Sequence, residues 1–149
     1  MKTKLVILWA IVLLGLSGCD LFKKEDTNTP VATDPVMMTS DNDWVIFTRE
    51  ALPSVKKNVV FTVTVSVEAK TDLELLGISE QLPAGFEVIS GDTTDFLANA
   101  AAGDRIELNY TLKASDRSGE FAIVGFSRAK PIGGEESEQL ELSSPVEVR

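Results

Sequence analysis

The sequence contains no histidine and one cysteine, Cys19, in 149 residues. Without histidine, the commonest general base and the commonest zinc ligand are missing, and neither a Ser–His nor a Cys–His nucleophile can be assembled. With one cysteine, no disulfide can close within the chain. A folded domain must then be held by its core alone, which roughly 100 residues of sandwich can supply. Gly77, Gly91 and Gly103 stand singly, so no glycine-rich phosphate loop exists. Basic residues are scarce, 14 against 23 acids, for a formal net charge of −9. That balance repels nucleic acid and anionic headgroups and argues against binding through a basic groove.

What is present begins with a leader. Lys2 and Lys4 form a positive start, and Leu5 to Leu16 is an unbroken apolar run. As a helix this run spans about 18 Å, short of the roughly 30 Å hydrocarbon core, so it reads as a signal peptide over 1–18. Its end, Leu16-Ser17-Gly18-Cys19, resembles the lipobox of bacterial lipoproteins. The resemblance implies that the Cys19 thiol is diacylglycerylated and the chain cut before it. Cys19 is then the lipidated N-terminus, held to a membrane on its extracytoplasmic side by its acyl chains. Two or three chains are needed for a stable anchor. Asp20 resembles the inner-membrane retention signal of enteric bacteria. Losing Lys2 and Lys4 and no acid moves the charge from −9 to −11.

From Cys19 to Asp43 periodicity disappears, and Lys23-Lys24-Glu25-Asp26, Pro30 and Asp34-Pro35 are solvated and turn-forming. Residues 19–43 are read as a flexible tether with a reach of about 27 Å.

The folded domain is placed at 44–149. Val59, Phe61, Val63, Val65 and Val67 alternate with Val60, Thr62, Thr64, Ser66 and Glu68, a strand with one buried face. Arg105 to Lys113 repeats the pattern, with Ile106, Leu108, Tyr110 and Leu112 on one side. Further strands are expected at 44–49, 73–82, 86–89, 121–127 and 139–148. A bulge is expected at Leu75-Leu76, where the apolar phase shifts, and a break or sheet edge at Pro145. The 121–127 segment is apolar on both faces, as a central strand would be. Asn99 to Ala102 reads as one helical turn or a small-residue loop. About seven strands with almost no helical periodicity predict an all-β, two-sheet antiparallel sandwich, with a small closed barrel as the alternative.

Thr48-Arg49-Glu50-Ala51-Leu52-Pro53, the strand from Phe61, Leu82-Pro83-Ala84-Gly85-Phe86, Leu108-Asn109-Tyr110-Thr111 and Gly119-Glu120-Phe121 occur in this order. The series resembles the conserved-repeat, adhesion-related immunoglobulin-like domains of bacterial and archaeal surface proteins. Where that family has a glycine-containing turn, this chain has Lys56-Lys57-Asn58, and asparagine tolerates the same left-handed backbone. The resemblance implies an immunoglobulin-like sandwich at the cell surface and brings no catalytic residues.

Candidates for chemistry are few. Asp41-Asn42-Asp43 has the acid spacing of half a calcium loop without the glycine and distal glutamate that complete one. Asp92, Asp95 and Asp104 stand in loops that a sandwich can bring to one end, as a calcium set or as three solvent-facing carboxylates. Glu135, Glu136 and Glu138 read as a solvated loop. Trp44 and Tyr110 could stack on sugars, but Tyr110 shares the core phase of its strand and Trp44 begins one. Lys56, Lys57, Lys70, Lys113 and Lys130 occupy turns or wet faces, so none suits Ser–Lys catalysis. The reading is therefore a non-catalytic envelope lipoprotein without cofactor or nucleic-acid partner. Its sandwich serves another envelope protein, and the alternative is a glycan- or cell-wall-binding adhesin, which requires an exposed aromatic pair.

Overall fold

The computed structural model describes residues 35–149. The leader at 1–18, the lipobox Leu16-Ser17-Gly18-Cys19 and the tether as far as residue 34 lie outside the described residues. Nine strands follow: β1 (Met37–Asp41), β2 (Val45–Glu50), β3 (Val60–Ala69), β4 (Leu73–Gln81), β5 (Glu87–Ser90), β6 (Thr94–Ala100), β7 (Arg105–Lys113), β8 (Gly119–Pro131) and β9 (Glu138–Val148). They form two antiparallel sheets, ordered β1-β2-β3-β7-β5 and β6-β4-β8-β9. The separate sheets, each with two edges, exclude the closed barrel.

The two clearest sequence patterns pair with each other. Val63, Val65 and Val67 of β3 lie opposite Tyr110, Leu108 and Ile106 of β7, and all six are buried. From the second sheet Leu73, Leu76, Ile78, Ile123 and Leu142 close the core against them. Each such side chain contributes about 1.5–3 kcal/mol, so alternation in these strands dominates the choice of fold. A smaller apolar group of Val55, Ala114, Val146 and Val148 seals one end, beside Phe61, Phe86 and Phe121.

Local chemistry explains the irregular places. The β4–β8 register shifts between Leu73 and Leu75, which brings Leu76 and Ile78 back to the core side after the bulge. Asn58 takes the left-handed backbone, φ 58°. Strand β9 pairs with β8 alone, and the Glu147 carbonyl accepts from the Val55 N–H on the far side. By the alternation of backbone groups, Pro145 then also faces away from β8, so its missing N–H breaks no ladder bond.

The structure corrects the sequence reading in three places. The stretch 37–41, read as tether, is strand β1 and pairs with β2 from Met37↔Glu50 to Asp41↔Ile46, so the folded domain begins before residue 44. Residues 94–100, assigned no strand, form β6. Asn99 belongs to that strand and the turn that follows is not helical. Both missed strands are sheet edges with little buried surface, which removes the alternation that marks the others.

Candidate functional site

Arg49 ends the inward phase of Val45 and Phe47 on β2 and is fully buried. Its guanidinium crosses the sandwich. Nη1 donates to the carbonyl of Ile123 at 2.9 Å and to Ser144 Oγ at 2.7 Å, and Nη2 donates to Glu80 Oε1 at 2.6 Å. Nη2 also donates to the second Glu80 oxygen. The Glu80 side chain, which continues the inward phase of Leu76 and Ile78, is equally closed to solvent. Tyr110 Oη completes the group by donating to Glu80 Oε2 at 2.9 Å. Burial first, then the neighbouring Glu80 charge, pushes the Tyr110 phenol far above its ordinary range. A Cβ on Gly125 would stand 2.6 Å from Arg49 Nη2, Glu80 Oε1 and Phe47, so glycine there makes room for the pair. The group is fully enclosed and reaches no substrate. Its work is to lock one sheet onto the other in a single register.

The acids singled out in the sequence do not meet. Asp92 precedes β6 and Asp104 follows it, so the length of that strand separates them. Asp104 Oδ2 accepts from the Ala101 N–H at 2.8 Å and Asp95 Oδ1 from the Phe96 N–H at 2.8 Å. Among the described residues no group of three or more histidine, cysteine or acidic side chains is arranged to hold a metal ion. Asn42 Oδ1 accepts from the N–H groups of Trp44 and Val45, both at 2.9 Å, so 41–43 is a turn into β2. Glu135, Glu136 and Glu138 are exposed. Tyr110 lies in the core, and Trp44 packs half-buried against it.

Two surface regions depart from a plain wet sandwich. One is the side where β5 and β6 form adjacent edges of the two sheets. Strand β5 pairs β7 only from Lys113 to Thr111, so Arg105–Asn109 has a strand neighbour on the β3 side alone. Gly91 lets the β5–β6 turn close onto β7. Its φ is +83°, and a Cβ would sit 2.5 Å from the Asn109 carbonyl. Beside it Asp92, Asp95, Glu107 and Asn109 line a groove of about 410 Å³. Val88, Ile89, Phe96 and Leu97 on the same two edge strands are exposed. The other region is the outer face of the four-stranded sheet. There Leu75, Gly77, Ser79, Phe96, Phe126 and Arg128 line a groove of about 430 Å³.

No protein-family model and no curated protein sequence matches the chain. Solved structures do. The segment of Escherichia coli alpha-2-macroglobulin from domain MG7 to the C-terminus superposes with a TM-score of 0.54 at 15% identity, over 77% of this chain and 17% of that one. The chain thus spans about a sixth of that structure. The PapD-like domain 7 of human CEP192 superposes with a TM-score of 0.51 at 12% identity, over 91% of this chain and 97% of that domain. The fold is an immunoglobulin-like β-sandwich.

Sequence reasoning missed the central polar group of this immunoglobulin-like domain, although a signal existed. Arg49 and Glu80 are opposite charges, each placed in the apolar phase of its own strand, and such residues are almost never buried unless paired. It also missed Phe96 and Phe126, because an exposed ring is recognisable only once the strand carrying it has been assigned a face. Among the described residues no helix is long and apolar enough to cross a membrane.

Proposed function

We propose that the chain is a non-catalytic interaction module of the cell envelope, anchored on the extracytoplasmic side of a membrane through acyl chains on Cys19. It holds another envelope protein by strand addition at the β5–β6 side. The observation that carries this reading is the incomplete pairing of β7. Below Asn109, where the β5–β6 turn closes onto it, its edge has no second strand partner, with exposed Val88, Ile89 and Leu97 nearby. An open edge supplies main-chain hydrogen bonds to an incoming strand, and flanking apolar side chains supply affinity. Asp92, Asp95 and Glu107 around the same edge favour a partner segment rich in lysine or arginine. The buried pair behind it keeps the receiving sheet rigid, so little ordering cost falls on this side of the complex.

Cross-linking of the tagged, lipidated chain in intact cells, followed by mass spectrometry, tests the proposal. The expected result is one envelope protein in near-stoichiometric yield, lost when Val88→Glu and Leu97→Glu are combined. Recovery of abundant neighbours only, unchanged in that double variant, would refute it.

A further inference from the structure

We infer that the outer face of the four-stranded sheet is a binding site for a carboxylate-bearing polysaccharide, distinct from the strand-receiving edge proposed above. Three strands build it. Gly77 on β4 lies directly between Phe96 on β6 and Arg128 on β8. Ser79 likewise lies between Thr94 and Phe126. With strands spaced about 4.8 Å, Phe96 and Arg128 stand roughly 10 Å apart across a residue without a side chain. The result is a slot about one sugar ring wide, with Leu75 and Ser79 at its ends along β4.

Packing does not require the glycine at its floor. A Cβ on Gly77 would meet its nearest atoms at 3.8 and 3.9 Å, which is ordinary contact. Its φ is also not among the positive values found in this chain. Glycine in a strand interior costs about 0.5–1 kcal/mol relative to alanine, so this one lowers stability while keeping the slot open. Gly125, one strand away, is the opposite case, because there the interior leaves no space for a Cβ.

The lining specifies the ligand. Phe96 is 70% exposed and Phe126 half-buried, which gives two phenyl faces for the apolar C–H face of a pyranose. Ser79 and Thr94 place hydroxyls on the rim. Exposed Arg128 takes part in none of the ion pairs among the described residues. A guanidinium fork beside aromatic rings recognises a carboxylate in a planar, two-bonded geometry. In a chain of net charge −9, an exposed cation outside the ion pairs of the described residues, at a slot flanked by two phenyl rings, selects an anionic ligand that most of the surface repels. The groove is open and runs along the strand, so it accepts a ring within a chain. Its size falls within the roughly 300–1,000 Å³ of small-ligand sites.

Calorimetric titration of the full lipidated chain in detergent micelles tests the inference, with polygalacturonate as probe and its methyl ester as the uncharged counterpart. Polygalacturonate is expected to bind, and the methyl ester about tenfold or more weakly. Arg128→Gln should bring the acid form to the affinity of the ester, and Gly77→Val should abolish both. Val88→Glu/Leu97→Glu should bind the polysaccharide as the parent does, which separates this site from the protein-binding edge. Equal affinity for acid and ester, or binding untouched by Gly77→Val, would overturn the inference. So would a protein cross-linked through the Phe96 face in a chain that retains no polygalacturonate.

Discussion

Arg49 on β2 and Glu80 on β4 reach each other from opposite sheets and share two hydrogen bonds, with both side chains closed to water. Tyr110 donates to the same carboxylate, and the carbonyl of Ile123 and the hydroxyl of Ser144 take the other guanidinium nitrogen. Desolvating two charges costs several kcal/mol each; the bonds on Nη1 and Nη2 offset that cost, while the buried Arg49 Nε has no partner. Its contribution is therefore to register. A slip of one residue in β2 or β4 would turn one charge outward and leave the other buried alone.

Arg49→Met is expected to destabilise the domain by about 3–5 kcal/mol, because Glu80 is left buried without its counter-charge. Arg49→Met/Glu80→Met should lose less than the sum of the two single variants. Urea unfolding of all four proteins gives the coupling, and simple additivity would show that the pair does not act as a unit.

Tyr110 gives an alkaline limit. Its folded pKa lies above the unfolded value of about 10. Its contribution is thus complete below pH 10 and is lost as pH rises through the raised folded value. The chain has one tyrosine, so tyrosinate absorbance reports this group alone. In the native protein the signal should appear only with unfolding. Tyr110→Phe should flatten the fall in stability above pH 10 relative to the parent.

Two glycines should respond oppositely to alanine. Gly125→Ala places a Cβ 2.6 Å from Arg49, Glu80 and Phe47 and should cost about 1–3 kcal/mol or more. Gly77→Ala makes only ordinary contacts at 3.8 and 3.9 Å and should gain up to about 1 kcal/mol. Thermal melts decide both signs.

A chain beginning at residue 44 lacks β1 and bares the edge of β2, so its urea midpoint should fall below that of a chain beginning at residue 35. Equal midpoints would mean that the β1–β2 ladder adds nothing to stability.

Cys19→Ser should move the protein from the membrane fraction to the soluble envelope fraction and abolish labelling by a radioactive fatty acid. Retention of either property would remove the lipid anchor from the proposed function.

Strand β7 is readable from the sequence to the residue, because Ile106, Leu108, Tyr110 and Leu112 alternate without a break. The bulge in β4 is legible from the phase shift at Leu75-Leu76, and the central place of β8 from apolar residues on both its faces. β1 and β6 are not legible. An edge strand half in water needs no alternation, and its backbone finds partners whatever its side chains are.

The sequence by itself determined that the domain is a β-sandwich, since period-2 burial of Val, Leu and Ile is a local property of each strand. It also determined that no histidine or thiol chemistry is open to the folded part, and it holds the Leu16-Ser17-Gly18-Cys19 segment on which the proposed lipid anchor rests. Only the tertiary structure decided which surfaces matter. The slot over Gly77 joins residues from β4, β6 and β8 that are up to 53 positions apart in the chain, Leu75 and Arg128, and the open edge of β7 exists because β5 stops short beside it. Both depend on which strands become neighbours and where their pairing ends, and that is settled by long-range contacts between strands that no local pattern encodes.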